Sequence, residues 1–249
     1  MPQGRGGTAS RLAQCGSGGV SFAVCPHNAR YKAASGVRRD SWFVMKSSPW
    51  PTAPARNRQD YEERREQLLA SAAALFVEKG FRDASLAEVA ERMQISKAAL
   101  YHYIGSKADL LFEIAKRTLD DISTALDNAA ATEGAGRDKL RIFLPAYVKI
   151  MSTTFGRCAV RTDRRILTAA RQQELGAIVR KQDATMRKIL REGAKDGSLQ
   201  NADPKLAAAM IFGAVSWIPR WYVENDHLDH DQLADKFVQV IERGFAARS

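Results

Sequence analysis

Residues 85–111 read SLAEVAERMQISKAALYHYIGSKADLL, and this stretch decides the fold. It holds three helix starts and one tight turn. Ser85 and Glu88 have the S-x-x-E spacing of a capping box. Ser96 caps a second short helix, and Ser106 with Asp109 opens a third with an acid at its third position. Met93-Gln94-Ile95 joins the first two helices through a connection short enough to swing one across the other. Helix, tight turn, helix is the layout that lays a second helix in a DNA major groove.

On both sides the chain keeps a helical period. Leu68, Leu69, Ala72, Ala73, Leu75 and Phe76 form a wide apolar stripe closed by Gly80. Leu86, Val89, Ala90 and Met93 give the next helix its inner face, and Leu100 and Ile104 anchor the third. Leu110, Leu111, Ile114, Ala115, Leu119, Ile122 and Leu126 stripe a long fourth. The pattern predicts further helices at about 137–155, 162–170, 172–196, 204–223 and 230–247, punctuated by Gly197 and Pro204. No alternating strand pattern appears, so the expected fold is all-α. A helix-turn-helix DNA-binding domain is expected over 59–105 and a helical ligand-binding and dimerisation domain over 106–249. Residues 1–58 are rich in Gly, Ser, Ala, Pro and Arg without a period, and read as a disordered extension.

Charge supports a polyanionic partner only in part. The formal net charge is +10, but residues 1–60 hold nine Lys/Arg against Asp40 and Asp60, leaving little excess beyond. Cys15, Cys25 and Cys158 have neither metal nor disulfide spacing, which fits free thiols in a reducing cytoplasm. The longest apolar run, 206–219, is too short to span a bilayer. His227-x-x-His230 reads as part of an acidic turn before the last helix rather than as a metal site. No cofactor-binding loop is present, so neither a cofactor nor a membrane partner is expected.

Residues 62–111 resemble the DNA-binding domain of the TetR family of one-component regulators. The likeness lies in ALFVEKGF (Ala74–Phe81), ASLAEVAERMQIS (Ala84–Ser96) and SKAALYHYIGSKADLL (Ser96–Leu111). The LYHY and SK-x-x-LL elements match the family's pattern in residue type and spacing. Two positions depart from it. The turn residue often filled by Gly is Gln94, and a non-Gly residue in the left-handed region costs on the order of 1 kcal/mol. The aromatic usual after LYHY is replaced by Ile104.

With Leu100 and Ile104 inward, Lys97, Ala98, Tyr101 and His102 fall on the outward arc of the third helix. Small Ala98 and Ala99 let that helix approach base edges. Lys97, Tyr101, His102 and Lys107 are donors of the kind that hold phosphates. Ser96 and Ser106 open helices whose first N–H groups suit a phosphate. The resemblance adds Ser85 as a backbone contact. Tyr103 is open between core and contact, and Arg56 and Arg58 between a solvated flank and a minor-groove arm.

Beyond this domain, Phe143, Tyr147, Met151, Phe155, Ile178 and Met186 supply large apolar surface for an effector pocket. The alternative is that they simply fill a core. Arg157, Arg161, Arg164, Arg165 and Arg171 crowd the same region, and Arg164 is placed with the pocket. A basic cluster beside apolar surface suits an amphipathic anion such as an acyl-CoA, and WIPRWY (Trp217–Tyr222) resembles family branches tied to lipid or acyl-CoA degradation. The resemblance implies a homodimer through the last two helices, and the pattern nominates Ala207, Ala208, Phe212, Val215, Trp217 and Ile218 with Phe237, Ile241 and Phe245. The expected function is a regulator, most simply a repressor, bound to a palindromic duplex operator. Two alternatives compete with it: a thiol-dependent acyl transferase using Cys158, and an architectural DNA binder using the basic tail.

Overall fold

Apolar stripes at helical spacing close into nine α-helices among the described residues, with no β-strand. The structure, a computed structural model, describes residues 58–222 and 228–245. The expected extension over 1–58, with Cys15, Cys25 and Arg56, lies outside them except for Arg58, and so do His227 and the side chain of Phe245.

Helix α1 (Arg58–Lys79), α2 (Leu86–Arg92) and α3 (Lys97–Tyr103) build the first region. Helices of seven residues are too short to persist alone, so α2 and α3 depend on caps and burial. Val89, Leu100 and Leu68 are fully buried and join the three into one core. Bidentate Arg92–Glu78 contacts at 2.7 and 3.2 Å tie α2 to α1.

Helix α4 (Lys107–Ala131) then leads into the second region: α5 (Gly136–Ser152), α6 (Thr154–Arg161), α7 (Ala169–Lys195), α8 (Pro204–Trp221) and α9 (His230–Phe245). Its apolar stripe packs on α1 at one end and on α5, α6 and α7 along its length. Polar pairs fix the register of that packing. Arg117 meets Glu66 of α1 at 2.6 Å, and Lys116 meets Glu174 of α7 at 2.9 Å. The buried Gln182 amide of α7 donates to the Leu119 carbonyl at 2.7 Å and to the Ser123 hydroxyl at 3.0 Å.

The start of α5 shows how tightly the second region is assembled. Its N-cap residue, Ala135, has no side-chain acceptor. Asp196 and Ser198, just beyond α7, supply it instead, accepting the Gly136 N–H at 2.8 Å and the Arg137 N–H at 3.1 Å. They come so near because Gly136 lies against Gly193: a Cβ added at Gly136 would stand 2.4 Å from the Gly193 Cα.

Two expectations are corrected. The first concerns helix boundaries. The helix predicted over 137–155 stops at Ser152, and α6 starts afresh behind a Thr153 cap whose hydroxyl accepts the Gly156 N–H at 3.1 Å. The helix predicted over 162–170 is a single 3-10 turn, Arg164–Ile166, flanked by the caps Asp163 and Thr168. Competing Thr and Asp side chains satisfy backbone N–H groups locally and so divide what periodicity alone joins. The second correction concerns α8. Ala207, Ala208, Val215 and Ile218 are buried within the protomer, whereas Leu206, Met210, Trp217 and Trp221 face outward. A helix apolar on every side does not announce which face its own core takes.

Candidate nucleic-acid interface

The recognition face is built from three serine caps. Ser85 and Glu88 complete the capping box: the Ser85 hydroxyl accepts the Glu88 N–H at 3.2 Å, and the Glu88 carboxylate accepts the Ser85 N–H at 2.8 Å. Lys79 pairs with the same carboxylate. Lys79 first, then Ser85, hold the Glu88 carboxyl down at about 2. The Ser96 hydroxyl accepts from Ala99 at 3.1 Å and Ser106 from Asp109 at 3.2 Å. Each hydroxyl thus orders the first turn of its helix by accepting a backbone N–H.

The turn between α2 and α3 is a Schellman closure: Gln94 N–H donates to the Glu91 carbonyl at 3.0 Å and Ile95 N–H to the Ala90 carbonyl at 2.9 Å. It needs a left-handed residue, and Gln94 takes φ +57°. The departure noted in the sequence is therefore a strained turn, with the helices still crossing.

On α3, Leu100, Tyr103 and Ile104 are buried, and Lys97, Ala98, Tyr101 and His102 are exposed, with Ala99 half-buried. Tyr101 is 55% exposed, a large figure for an aromatic side chain. Tyr103 resolves to the core: its ring stacks on Tyr61 of α1 with centroids 4.8 Å apart, and His102 meets Tyr61 edge-on at 6.1 Å. Arg58 begins α1 and is exposed.

Ser85, Leu86 and Ala87 from the start of α2, Lys97 and Tyr101 from α3, and Lys107 from α4 line one open groove of about 400 Å³. Four of the residues nominated from sequence thus converge there, while Ser96, Ala98 and His102 lie on the same helix or at its cap. Lys107 is held more firmly than a free phosphate ligand. Its ammonium sits 4.5 Å from the Phe81 ring centroid and donates to the Arg82 carbonyl at 3.2 Å. Burial lowers its pKa from the usual lysine value. Two of its three donors remain for the groove.

In the second region, Phe143, Tyr147, Met151 and Met186 are buried, Phe155 and Ile178 are half-buried against the same core, and Arg164 is half-buried. The structure gathers Phe143 and Tyr147, stacked at 5.2 Å, with Phe212 edge-on to both at 6.2 and 5.6 Å. Phe212, which the sequence pattern nominates for the subunit interface, therefore belongs to this cluster. The Tyr147 hydroxyl donates to the Phe212 carbonyl at 3.3 Å and so ties α5 to α8. Cys158 is fully buried, and burial pushes its thiol up to about 12. A thiol held protonated is no nucleophile, which counts against the acyl-transferase alternative. Among the described residues no cluster of three or more His, Cys, Asp or Glu is placed to hold a metal, and no helix is long and apolar enough to cross a membrane.

A short capped helix rooted by leucine and presenting Lys, Ala, Tyr and His to solvent defines a helix-turn-helix DNA-binding protein. Two family models match this chain: bacterial regulatory proteins of the tetR family over residues 68–114, and the tetracyclin repressor-like C-terminal domain over 133–245. The chain belongs to the TetR family of transcriptional regulators.

Among curated relatives it is similar to the transcriptional activator FasR of Mycolicibacterium smegmatis, at 34% identity over 91 residues, 36% of this chain and 42% of that one. It is also similar to the transcriptional repressor KstR2 of Rhodococcus jostii, at 24% identity over 78% of this chain and 97% of that one. Among solved structures, the TetR family regulator PfmR of Thermus thermophilus superposes with a TM-score of 0.66 at 27% identity, covering 71% of this chain and 97% of that one.

Proposed function

We propose that the protein is a ligand-responsive repressor that grips a palindromic operator as a homodimer in the cytoplasm. The exposed Lys97, Ala98, Tyr101 and His102 face of α3, beside the Ser85–Lys107 groove, carries this reading. Ala98 and Ala99 meet base edges, and Lys97, Tyr101, His102, Lys107 and the hydroxyls of Ser85 and Ser96 hold phosphates on either side.

A single short helix reads too few bases for useful specificity, so two protomers are required. The outward face of α8 and α9 supplies the joint. Leu206, Met210 and Trp217 recur at helical spacing and, with Val240 of α9, are 58–71% exposed. Pairing those faces buries them and sets two recognition helices about 34–36 Å apart, one turn of DNA. The repressor sense is supported by likeness to KstR2 over nearly all of that protein's length; FasR, an activator, is matched over less than half.

The second region takes a small amphipathic anion, of which an acyl-CoA is the type case. Its binding changes the separation of the recognition helices through α4, which carries both the Ser106 cap and the walls of the second region. A coupling of about 1–3 kcal/mol suffices to release DNA.

A mobility shift on duplex taken from upstream of the protein's own coding region tests the reading. Wild type gives a shift that resists excess unrelated DNA. Lys97→Ala weakens it and lowers the slope of log K against log salt by about 0.9, one phosphate contact. Binding that does not discriminate between duplexes sinks the proposal.

A further inference from the structure

Polar contacts join α4 to α7 from one end to the other: Asp109 with Arg171, Lys116 with Glu174, Leu119 and Ser123 with Gln182, and Asp127 with Lys181. The ion pairs among them are unequal. The Lys116 and Glu174 side chains are 41% and 49% exposed, and those of Lys181 and Asp127 are 71% and 53% exposed, the solvated kind that holds little. Arg171 and Asp109 are only 32% and 25% exposed. The Arg171 guanidinium also lies over the Phe112 ring, 4.9 Å from its centroid, and this attraction adds to the ion pair where water is partly excluded.

The place of this pair in the fold sets it apart further. Asp109 is the third residue of α4, and its N–H donates to the capping Ser106 hydroxyl at 3.2 Å. Arg171 is the third residue of α7, and its N–H donates to the capping Thr168 hydroxyl at 3.5 Å. The ion pair therefore joins two capped first turns. Its carboxylate lies against Gly105, where an added Cβ would stand 2.6 Å from Asp109 Oδ2. Arg171 thus holds a group that covers the corner between α3 and α4. From that corner Lys107 reaches the groove it shares with Ser85, Lys97 and Tyr101.

We propose that Arg171 is a positioning residue for operator binding: from the second region, and outside the groove, it holds the first turn of α4 through Asp109 and so fixes Lys107 in the groove wall. This rests on the reading of that groove as the DNA-binding face. The other α4–α7 pairs hold the two helices together but lie beyond the capped turn. A helix end frays unless something restrains it, and a loosened first turn must be ordered again each time DNA binds. Arg171 removes that cost in advance. The start of α7 is then a point at which the second region sets the operator affinity of the first.

The experiment uses the full chain and the duplex from upstream of its own coding region. Titrated mobility shifts compare wild type with Arg171→Met, Arg171→Lys, Asp109→Asn and the Arg171→Met/Asp109→Asn double variant. Lys116→Met, which breaks the neighbouring pair between the same two helices, is the control. Circular dichroism first establishes wild-type helicity for each; should Arg171→Met not fold, Arg171→Lys and Asp109→Asn carry the test against the same control. Arg171→Met weakens operator binding by about fivefold, and Arg171→Lys recovers part of the loss. The double variant binds no more weakly than Arg171→Met, because the arginine acts through the aspartate. The slope of log K against log salt stays at the wild-type value, since no phosphate contact has been removed. Lys116→Met keeps wild-type affinity.

Unchanged operator affinity in folded Arg171→Met overturns the proposal. So does an equal loss in Lys116→Met, which would show that the pair does no more than hold α4 against α7. A salt slope lowered by about 0.9 would make Arg171 itself a phosphate contact, and additive losses in the double variant would break its link to Asp109. In each of these cases discriminating binding by wild type leaves the DNA-binding reading standing. Wild type that does not discriminate between duplexes condemns that reading, and this inference with it.

Discussion

The starts of α2 and α5 are both fixed by a serine and a carboxylate, yet the two arrangements are drawn from opposite ends of the sequence scale. At α2 the pair is Ser85 and Glu88, three residues apart and on the same turn. At α5 it is Asp196 and Ser198, some sixty residues downstream, brought in by the packing of α7. The first cap forms as soon as its own turn forms. The second exists only once α5 and α7 have docked. Local caps make the DNA-binding region a self-specified unit, whereas the second region specifies its helix ends through tertiary contact. That division suits the proposed function, in which the recognition helix keeps one shape while the domain behind it responds to a ligand.

The sharpest way to break the comparison is to stop α5 and α7 from docking. Gly136→Ala places a methyl 2.4 Å from the Gly193 Cα, and backbone on that side has no rotamer with which to yield. Overpacking of this kind costs about 1–3 kcal/mol, and the upper part of that range is expected here because backbone must move. Urea denaturation checks the loss. Hydrogen exchange should show α5 and the end of α7 opening early, with α2 and α3 protected as before. Equal loss of protection in α2 would mean that the two regions are not separately specified.

Asp196→Ala tests the remote cap itself with a smaller effect. Loss of a helix N-cap acceptor costs about 1 kcal/mol, within a range of roughly 0.5–2. Ser85→Ala serves as the local counterpart and should lose a similar amount. Acid distinguishes the mechanism. The Asp196 carboxyl is held below its ordinary value by Ser198 and by the Gly136 N–H. Its contribution is therefore complete above the unfolded value of about 3.9 and disappears as pH falls through the lower folded value. The gap in melting temperature between wild type and Asp196→Ala should persist at pH 5 and narrow only below about pH 4. A gap that narrows between pH 7 and 5 would contradict the assignment of Asp196 as the acceptor.

The same contrast explains what was legible beforehand. All three serine caps, the buried Leu100 and Ile104 and the exposed Tyr101 were readable, because cap and periodicity lie within four residues of one another. Tyr103 was not decided, since its partner Tyr61 lies on another helix. The break at Thr153 was missed although Gly156 hinted at it: a Cβ there would stand 2.4 Å from the Ile150 carbonyl oxygen, so only glycine permits α6 to fold back. On α8 the sequence pattern nominates Trp217, which does face outward, together with Ala207, Val215 and Ile218, which are buried, because these are as apolar as the exposed Leu206 and Met210. Arg164 is nominated with the pocket, but its isolation from Asp163 and Asp109 is visible only once Arg165 and Arg171 take those carboxylates.

The smallest change expected sharpens the comparison from the local side. If α2 and α3 are specified by their own turn, then relieving that turn should stabilise the region without touching the second one. Gln94 holds φ +57° to complete the Schellman bonds of Gln94 and Ile95, and its side chain is exposed. Gln94→Gly removes the steric penalty of the left-handed conformation, about 1–2 kcal/mol, and restores backbone freedom to the unfolded chain, which offsets about 0.5–1 kcal/mol. A net gain of about 0.5 kcal/mol is expected, a rise of about one or two degrees in melting temperature for a chain of this size. The gain should appear in hydrogen exchange of α2 and α3 and leave α5 unchanged, and operator affinity should hold, since the glycine keeps both turn hydrogen bonds. If affinity falls while stability rises, the strained glutamine is setting the angle at which α3 meets DNA, and local specification extends from fold to recognition.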